Sequence, residues 1–251
     1  MRNSNRGVRG FLTSMMLIGT MGLATIVQGG GVRYVDDDAP AGGDGLAWGT
    51  AYRFLQDALS EAAASGGAVT EIRVGQGTYR PDRDEVNQGG TGDRAATFSL
   101  RDGVALRGGY EGFGAADPDV RDISLFPSML DGDLLGNDLV PAGYLDPTKD
   151  ENTYHIVTGS GNDATAMLDG FIIQYAATER GAVAEIYGGG MIIVSGSPTI
   201  TDCTFLGNMA EFGAGLYVAE QSMPSISNCH FNSNYADELG GGMMIEIKSH
   251  P

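Results

Sequence analysis

Beyond residue 30 the chain changes its hydrophobic period once. Over residues 51–64, Tyr52, Leu55, Leu59 and Ala62 recur at spacings of three and four, which gathers them on one helical face. Thr50 is the expected N-cap and Gly66-Gly67 the expected stop. After this helix the period falls to two. Ile72 and Val74, Phe98 and Leu100, Val104 and Leu106, and Phe171, Ile173 and Tyr175 alternate with residues of other kinds in short runs bounded by Gly, Asp, Asn or Ser. Short alternating runs with frequent turns predict an all-β protein. Residues 110–153 break the rhythm with ten acids, two bases and one strand candidate over 128–130.

A repeat then narrows the fold. Residues 197–208 (SPTITDCTFLGN) align with 223–234 (MPSISNCHFNSN) at a constant offset of 26: Pro198 with Pro224, Ile200 with Ile226, Cys203 with Cys229, Phe205 with Phe231, Asn208 with Asn234. Glycine clusters precede Met191, Leu216 and Met243, 25 and 27 residues apart. A unit this short fits one turn of a β-solenoid, in which equal positions stack ~4.8 Å apart. Ile200 on Ile226 and Phe205 on Phe231 then form apolar columns, and Asn208 with Asn234 an amide ladder at a bend where a left-handed backbone is useful. Cys203 and Cys229 become stacked neighbours, with a buried thiol pair expected ahead of a disulfide.

These residues resemble the right-handed parallel β-helix repeats of bacterial secreted proteins, and in particular those of chlamydial polymorphic outer membrane proteins. The latter join a Gly-Gly-Ala-aliphatic cluster to Phe-x-x-Asn. Phe205–Asn208 and Phe231–Asn234 match the second element, and Gly-Gly-Gly-Met or Gly-Ala-Gly-Leu departs from the first at its third residue. Tyr34-Val35-Asp36, the run WGTAYRFLQDAL (48–59) and Gly77-Thr78-Tyr79 are similar to the cap region of pectin-lyase-like proteins, and residues 168–173 (LDGFII) to the coil that precedes glycine-rich repeats. The resemblance implies an all-β, right-handed parallel β-helix with an N-terminal amphipathic capping helix. It implies one domain over 30–251: a cap region over 34–67, an acidic insertion over 110–153, coils over 188–247 and an uncapped C-terminus.

Composition agrees. Glycine supplies 40 of 251 residues, roughly twice the usual ~7% share, as a fold with a turn every few residues requires. Arg2, Arg6 and Arg9 followed by an apolar stretch over 11–27 read as a signal peptide over 1–29, so the expected site of action is secreted or at the outer cell surface, with no membrane span after cleavage. The formal charge of −17 becomes 12 − 32 = −20 without those arginines, which argues against nucleic acid as a partner.

Candidate chemistry is sparse. Asp131, Asp133, Asn137 and Asp138 place four oxygen donors within eight residues and can hold Ca²⁺, although no EF-hand spacing is present. Asp36, Asp37, Asp38 and Asp44 form a weaker second set. No cofactor is required. The Asn-Thr-Asp, Gly-His-Gly and Arg-Ile-Lys elements of polygalacturonases are absent, no catalytic set is recognised, and Arg107 is the base to test first. The expected role is a structural, adhesive or carbohydrate-binding module facing extracellular polysaccharide or a surface protein. The alternatives are a lyase or hydrolase of acidic polysaccharide, and a fragment of a larger surface protein.

Overall fold

The structure, a computed structural model, describes Met1 and residues 31–138, 147–178 and 185–246. The expected signal peptide lies outside these residues apart from Met1. Strand β1 (Gly31–Val35) is followed by a 3-10 turn (Trp48–Thr50) and helix α1 (Leu55–Ala64). Five turns of chain then contribute to three sheets in rotation. The first holds β2 (Val69–Gly75), β3 (Gly77–Tyr79) and β4 (Phe98–Ser99), and the second β5 (Ala105–Tyr110), β6 (Ser128–Asp131) and β7 (Val157–Thr158). The third holds β8 (Met167–Asp169), β9 (Phe171–Gln174) and β10 (Met191–Val194). The fourth has β11 (Thr199–Thr201), β12 (Thr204–Leu206), β13 (Met209–Phe212) and β14 (Leu216–Ala219), and the fifth β15 (Ser225–Ser227), β16 (His230–Asn232), β17 (Tyr235–Leu239) and β18 (Met243–Glu246).

One sheet runs β1-β2-β5-β8-β11-β15, a second β3-β6-β9-β12-β16 and a third β4-β7-β10-β14-β18, with β13 and β17 as a separate pair. All these pairings are parallel. The architecture is all-β, parallel and β-solenoid-like.

Register turns the alternation into columns. Ile72, Leu106, Leu168, Ile200 and Ile226 pair in succession across the first sheet. Tyr79, Leu130, Ile173, Phe205 and Phe231 do so across the second, and Phe98, Val157, Met191, Leu216 and Met243 across the third. Most of these side chains enter one continuous core. Each large aliphatic or aromatic one contributes about 1.5–3 kcal/mol by leaving water. The offset-26 match predicted from sequence is the observed pairing of β11 with β15 and of β12 with β16. Phe205 and Phe231 stack with ring centroids 4.8 Å apart, and Cys203 and Cys229 are free thiols.

Three expectations are corrected. Helix α1 starts at Leu55, after a Phe54 N-cap with no side-chain cap bond. Thr50 instead donates its hydroxyl to Asp44 Oδ1 at 2.6 Å. Tyr52 cannot join the helix because β1 claims its backbone: Tyr52 N–H donates to Tyr34 O, and Asp36 N–H donates to Tyr52 O. The left-handed residues of the repeat are Asp202 and Asn228, and Gly207 and Ser233, each pair 26 apart. Asn208 and Asn234 lie outside that backbone region and bond to neighbouring coils, with Asn208 Nδ2 donating to Asn234 Oδ1 at 3.0 Å. Tyr175, read as a strand residue, sits past the end of β9 at φ 65°.

The glycine before β14 has a definite task. A Cβ on Gly215 would run into the carbonyl oxygen of Gly242 in the next coil, so that corner closes only around a hydrogen atom.

Candidate functional site

A cavity of about 340 Å³ opens where β1, α1 and β3 meet, a size within the range of small-molecule sites. Arg53 lines it just before α1, and Arg80 and Arg83 line it just after β3; Asp37, Thr78 and Gln88 complete the polar wall. The alternation of β3 sends Tyr79 into the core. The loop that follows is tied to α1 by Gln56 Nε2, which donates to Pro81 O at 2.7 Å and to Thr97 O at 3.0 Å. Phe54 and Leu55 also line the cavity, so it borders the positive end of the helix dipole. A second cavity of about 230 Å³ adjoins it and shares Arg83.

The three guanidinium groups are held mainly by carbonyl oxygens. Arg53 Nε donates to Asp37 O at 3.2 Å, Arg80 Nε to Asp133 O at 2.5 Å, and an Arg83 terminal nitrogen to Leu134 O at 3.4 Å. Arg80 reaches Asp131 Oδ2 at 3.6 Å. Among the described residues, Arg53 and Arg83 meet no carboxylate at ion-pair distance. Arg83 Nε is buried without a partner. Burial, then the neighbouring charge of Arg80, push the Arg83 pKa down. In a chain of net charge −17, this is a local concentration of incompletely neutralised positive charge.

Arg107 lies elsewhere. It projects from β5 and pairs with Asp169, which also takes Arg121 at 2.6 Å. Its neighbours are carboxylates on the outer face of a sheet, and the described cavities do not include it.

The acidic segment engages its expected ligands in different ways. Asp131 lies at the end of β6, buried beside Arg80, and accepts the Asp133 N–H at 3.2 Å. Burial pushes its carboxyl up to about 6. Asp133 gathers the backbone N–H groups of Gly136, Asn137 and Asp138 at 2.6, 3.1 and 2.9 Å, so Asn137 serves through its backbone. Asp133 and Asp138 come together with Glu151, a residue the local spacing did not single out, their carboxylate oxygens lying within 4.8 Å of one another. Burial, and then the charges of Asp133 and Asp138, raise the Glu151 pKa. Asp138 Oδ2 accepts from Lys149 Nζ at 2.8 Å and from Asn152 Nδ2 at 3.0 Å.

No family model, curated protein or solved structure matches the chain. Its chemistry therefore rests on its own residues.

Asp36, Asp37 and Asp38 also bring carboxylate oxygens within 4.8 Å of one another, while Asp44 is engaged by Leu46 N–H and Thr50. Asp36 is buried, with Oδ1 accepting Asp38 N–H at 3.0 Å and Oδ2 accepting Phe113 N–H at 2.8 Å. Asp37 Oδ2 accepts Thr78 N–H at 2.8 Å. Gly112, at φ 85°, passes so close to Asp36 that a Cβ there would strike its carboxylate. Burial pushes the Asp36 carboxyl up from 3.8 to about 6. A carboxyl whose pKa is higher folded than unfolded takes up protons on folding between those values. Its stabilising contribution is full below 3.8 and is lost as pH rises through about 6. Asp36 should therefore cost the fold about 1–3 kcal/mol between pH 4 and pH 7. Urea unfolding of the wild type and Asp36→Ala over that range measures it. The variant should show the flatter pH dependence, and parallel curves would refute the assignment.

Proposed function

We propose that the chain is an exported, right-handed parallel β-helix that binds an anionic, carboxylate-bearing saccharide in the Arg53–Arg80–Arg83 cavity. The carrying observation is the cavity itself: three guanidinium groups converge in a strongly acidic protein, two of them without a carboxylate partner among the described residues. Guanidinium matches a planar carboxylate through paired N–H donors, and a partly desolvated cluster favours an anion that relieves the repulsion between its members. Support for the finer fold comes from the resemblance to pectin-lyase-like and polymorphic outer membrane protein repeats. Support for α1 as the cap of one end comes from its packing on β1, β2 and β4, with Leu55, Ala58, Leu59 and Ala62 buried in the core. The arginine-led apolar N-terminus supports export.

Calorimetry with uronate oligosaccharides tests this reading. The wild type should bind them, bind neutral oligosaccharides of equal length far more weakly, and lose affinity as salt is raised. Arg83→Gln and Arg53→Gln should each weaken binding by about tenfold or more, the loss of one charge-assisted hydrogen bond. Absence of binding to every uronate tried would overturn the proposal. A second reading, cleavage of the same polymers, draws on Arg80 lying 3.6 Å from Asp131 beside the cavity. Appearance of unsaturated, absorbing product or of new reducing ends would favour it over binding alone.

A further inference from the structure

The acidic segment that anchors Arg80 and Arg83 through its carbonyls also contains buried oxygen atoms that the protein does not satisfy. Asp138 has a side chain only 2% exposed. Its Oδ2 is occupied by Lys149 and Asn152, but its Oδ1 has no hydrogen-bond partner. Glu151 Oε1 is likewise buried without a donor. So is Oδ1 of the wholly buried Asn152, whose own Nδ2 is spent on Asp138 Oδ2 and on Tyr175 O at 2.6 Å. Three acceptor oxygens on Asp138, Glu151 and Asn152 thus lack donors, and the first two residues belong to a carboxylate cluster with Asp133. A buried acceptor without a partner costs about 1–3 kcal/mol, and more when it carries charge. Repetition of this deficit across one cluster indicates a missing positive species more readily than isolated defects.

The charge points the same way. Asp133, Asp138 and Glu151 carry three negative charges when ionised, and Lys149 supplies one positive charge at Asp138 Oδ2. The cluster is left at −2. Its donors are carboxylate and amide oxygens, with no imidazole or thiolate in the cluster, and such a set suits a hard cation. The groups come from two separate stretches, 133–138 and 149–152. The Asp133 carboxylate holds the first in a tight loop by accepting three consecutive backbone N–H groups. We propose that Asp133, Asp138 and Glu151 bind one Ca²⁺ ion, with the Asn152 amide oxygen as a further donor. Water and backbone oxygens complete the about six to eight ligands that Ca²⁺ takes. Mg²⁺, which demands a stricter octahedron and parts reluctantly with its water, is the poorer occupant. The ion takes none of the arginines as ligands, although Asp133 and Leu134 hold Arg80 and Arg83 through their carbonyl oxygens, so Ca²⁺ binding and uronate binding are measured separately.

Thermal unfolding of the full chain, stripped with EDTA and titrated with CaCl₂, tests it. Ca²⁺ should raise the melting temperature saturably, on the order of 5 °C at an excess of about a hundredfold over Kd. Calorimetry should count one ion per chain, and Mg²⁺ should give a smaller rise. Glu151→Gln keeps the shape of a half-buried side chain and should abolish most of the rise while leaving the metal-free melting temperature close to wild type. Asp138→Asn, which also loosens Lys149, should abolish it too. A melting temperature unmoved by Ca²⁺ overturns the proposal. A rise of full size in both variants also overturns it, by placing the ion elsewhere, for instance at Asp36–Asp38.

Discussion

Replacing Asn208 with alanine should destabilise the protein by about 3–5 kcal/mol, more than most single substitutions. Asn208 is fully buried. Its Oδ1 accepts the Ala176 N–H at 3.0 Å, and its Nδ2 donates to Ile173 O at 2.9 Å and to Asn234 Oδ1 at 3.0 Å. One amide therefore joins the third, fourth and fifth turns of the solenoid. Alanine strands the Ala176 N–H and the Ile173 carbonyl inside, where water cannot replace the lost partner. Asn208→Asp retains the acceptor but loses the donor and adds a buried charge, so it should be no better than alanine. Asn234→Ala, at the half-exposed end of the same ladder, should cost only about 1 kcal/mol. Urea unfolding followed by far-ultraviolet circular dichroism measures all three. A loss below about 1 kcal/mol for Asn208→Ala would mean that the ladder is incidental to stability.

The second large effect is expected at Phe205, where alanine should cost about 3–5 kcal/mol through lost transfer energy and an unfilled cavity. The ring is fully buried, sits in the column between Ile173 and Phe231, and lies within 6° of parallel to the Phe231 ring. Phe231→Ala should cost less, because that ring is only partly buried. The optical probes should also disagree in a specific way. Stability in a stacked-coil protein is close to a sum of nearest-neighbour terms. A defect at Phe205 should loosen the fourth and fifth turns first, and circular dichroism will report it. The only tryptophan, Trp48, lies beside β1, so its fluorescence should change at higher urea. Coincident transitions by the two probes would show instead that the solenoid unfolds as one unit.

Much of the scaffold was legible because its constraints are local or periodic. Alternation in the 69–75 and 171–174 runs places Ile72, Val74, Phe171 and Ile173 inside, since successive Cβ atoms of a strand point to opposite faces. The constant offset from Pro198/Pro224 to Asn208/Asn234 leaves one stacking register, and that register is observed. Propensity and spacing place the helix start too early because they say nothing of Tyr52 being taken by β1. The repeat pattern points to left-handed residues one step too late, at Asn208 and Asn234, because asparagine suits two roles. Here Gly207 and Ser233 take the backbone turn, which frees the amides to enter the stack.

The sequence by itself determined the parallel stacked-coil character of this protein, the columns that fill it and the acidic segment that interrupts it. All follow from a two-residue alternation and a repeat of about 26 residues, and a short-range rule can read both. Only the tertiary structure decided where chemistry could occur. Arg53 approaches Arg80 and Arg83 because β1, α1 and the loop after β3 fold against one another. Glu151 approaches Asp133 and Asp138 because the residues that follow β6 and those that precede β7 meet in the same turn of the solenoid. Arg107 is drawn away into a pair with Asp169. These meetings depend on how unequal, non-repeating loops close over a regular frame. No period encodes them, because each loop's path is set by the few backbone and side-chain bonds it makes with that frame.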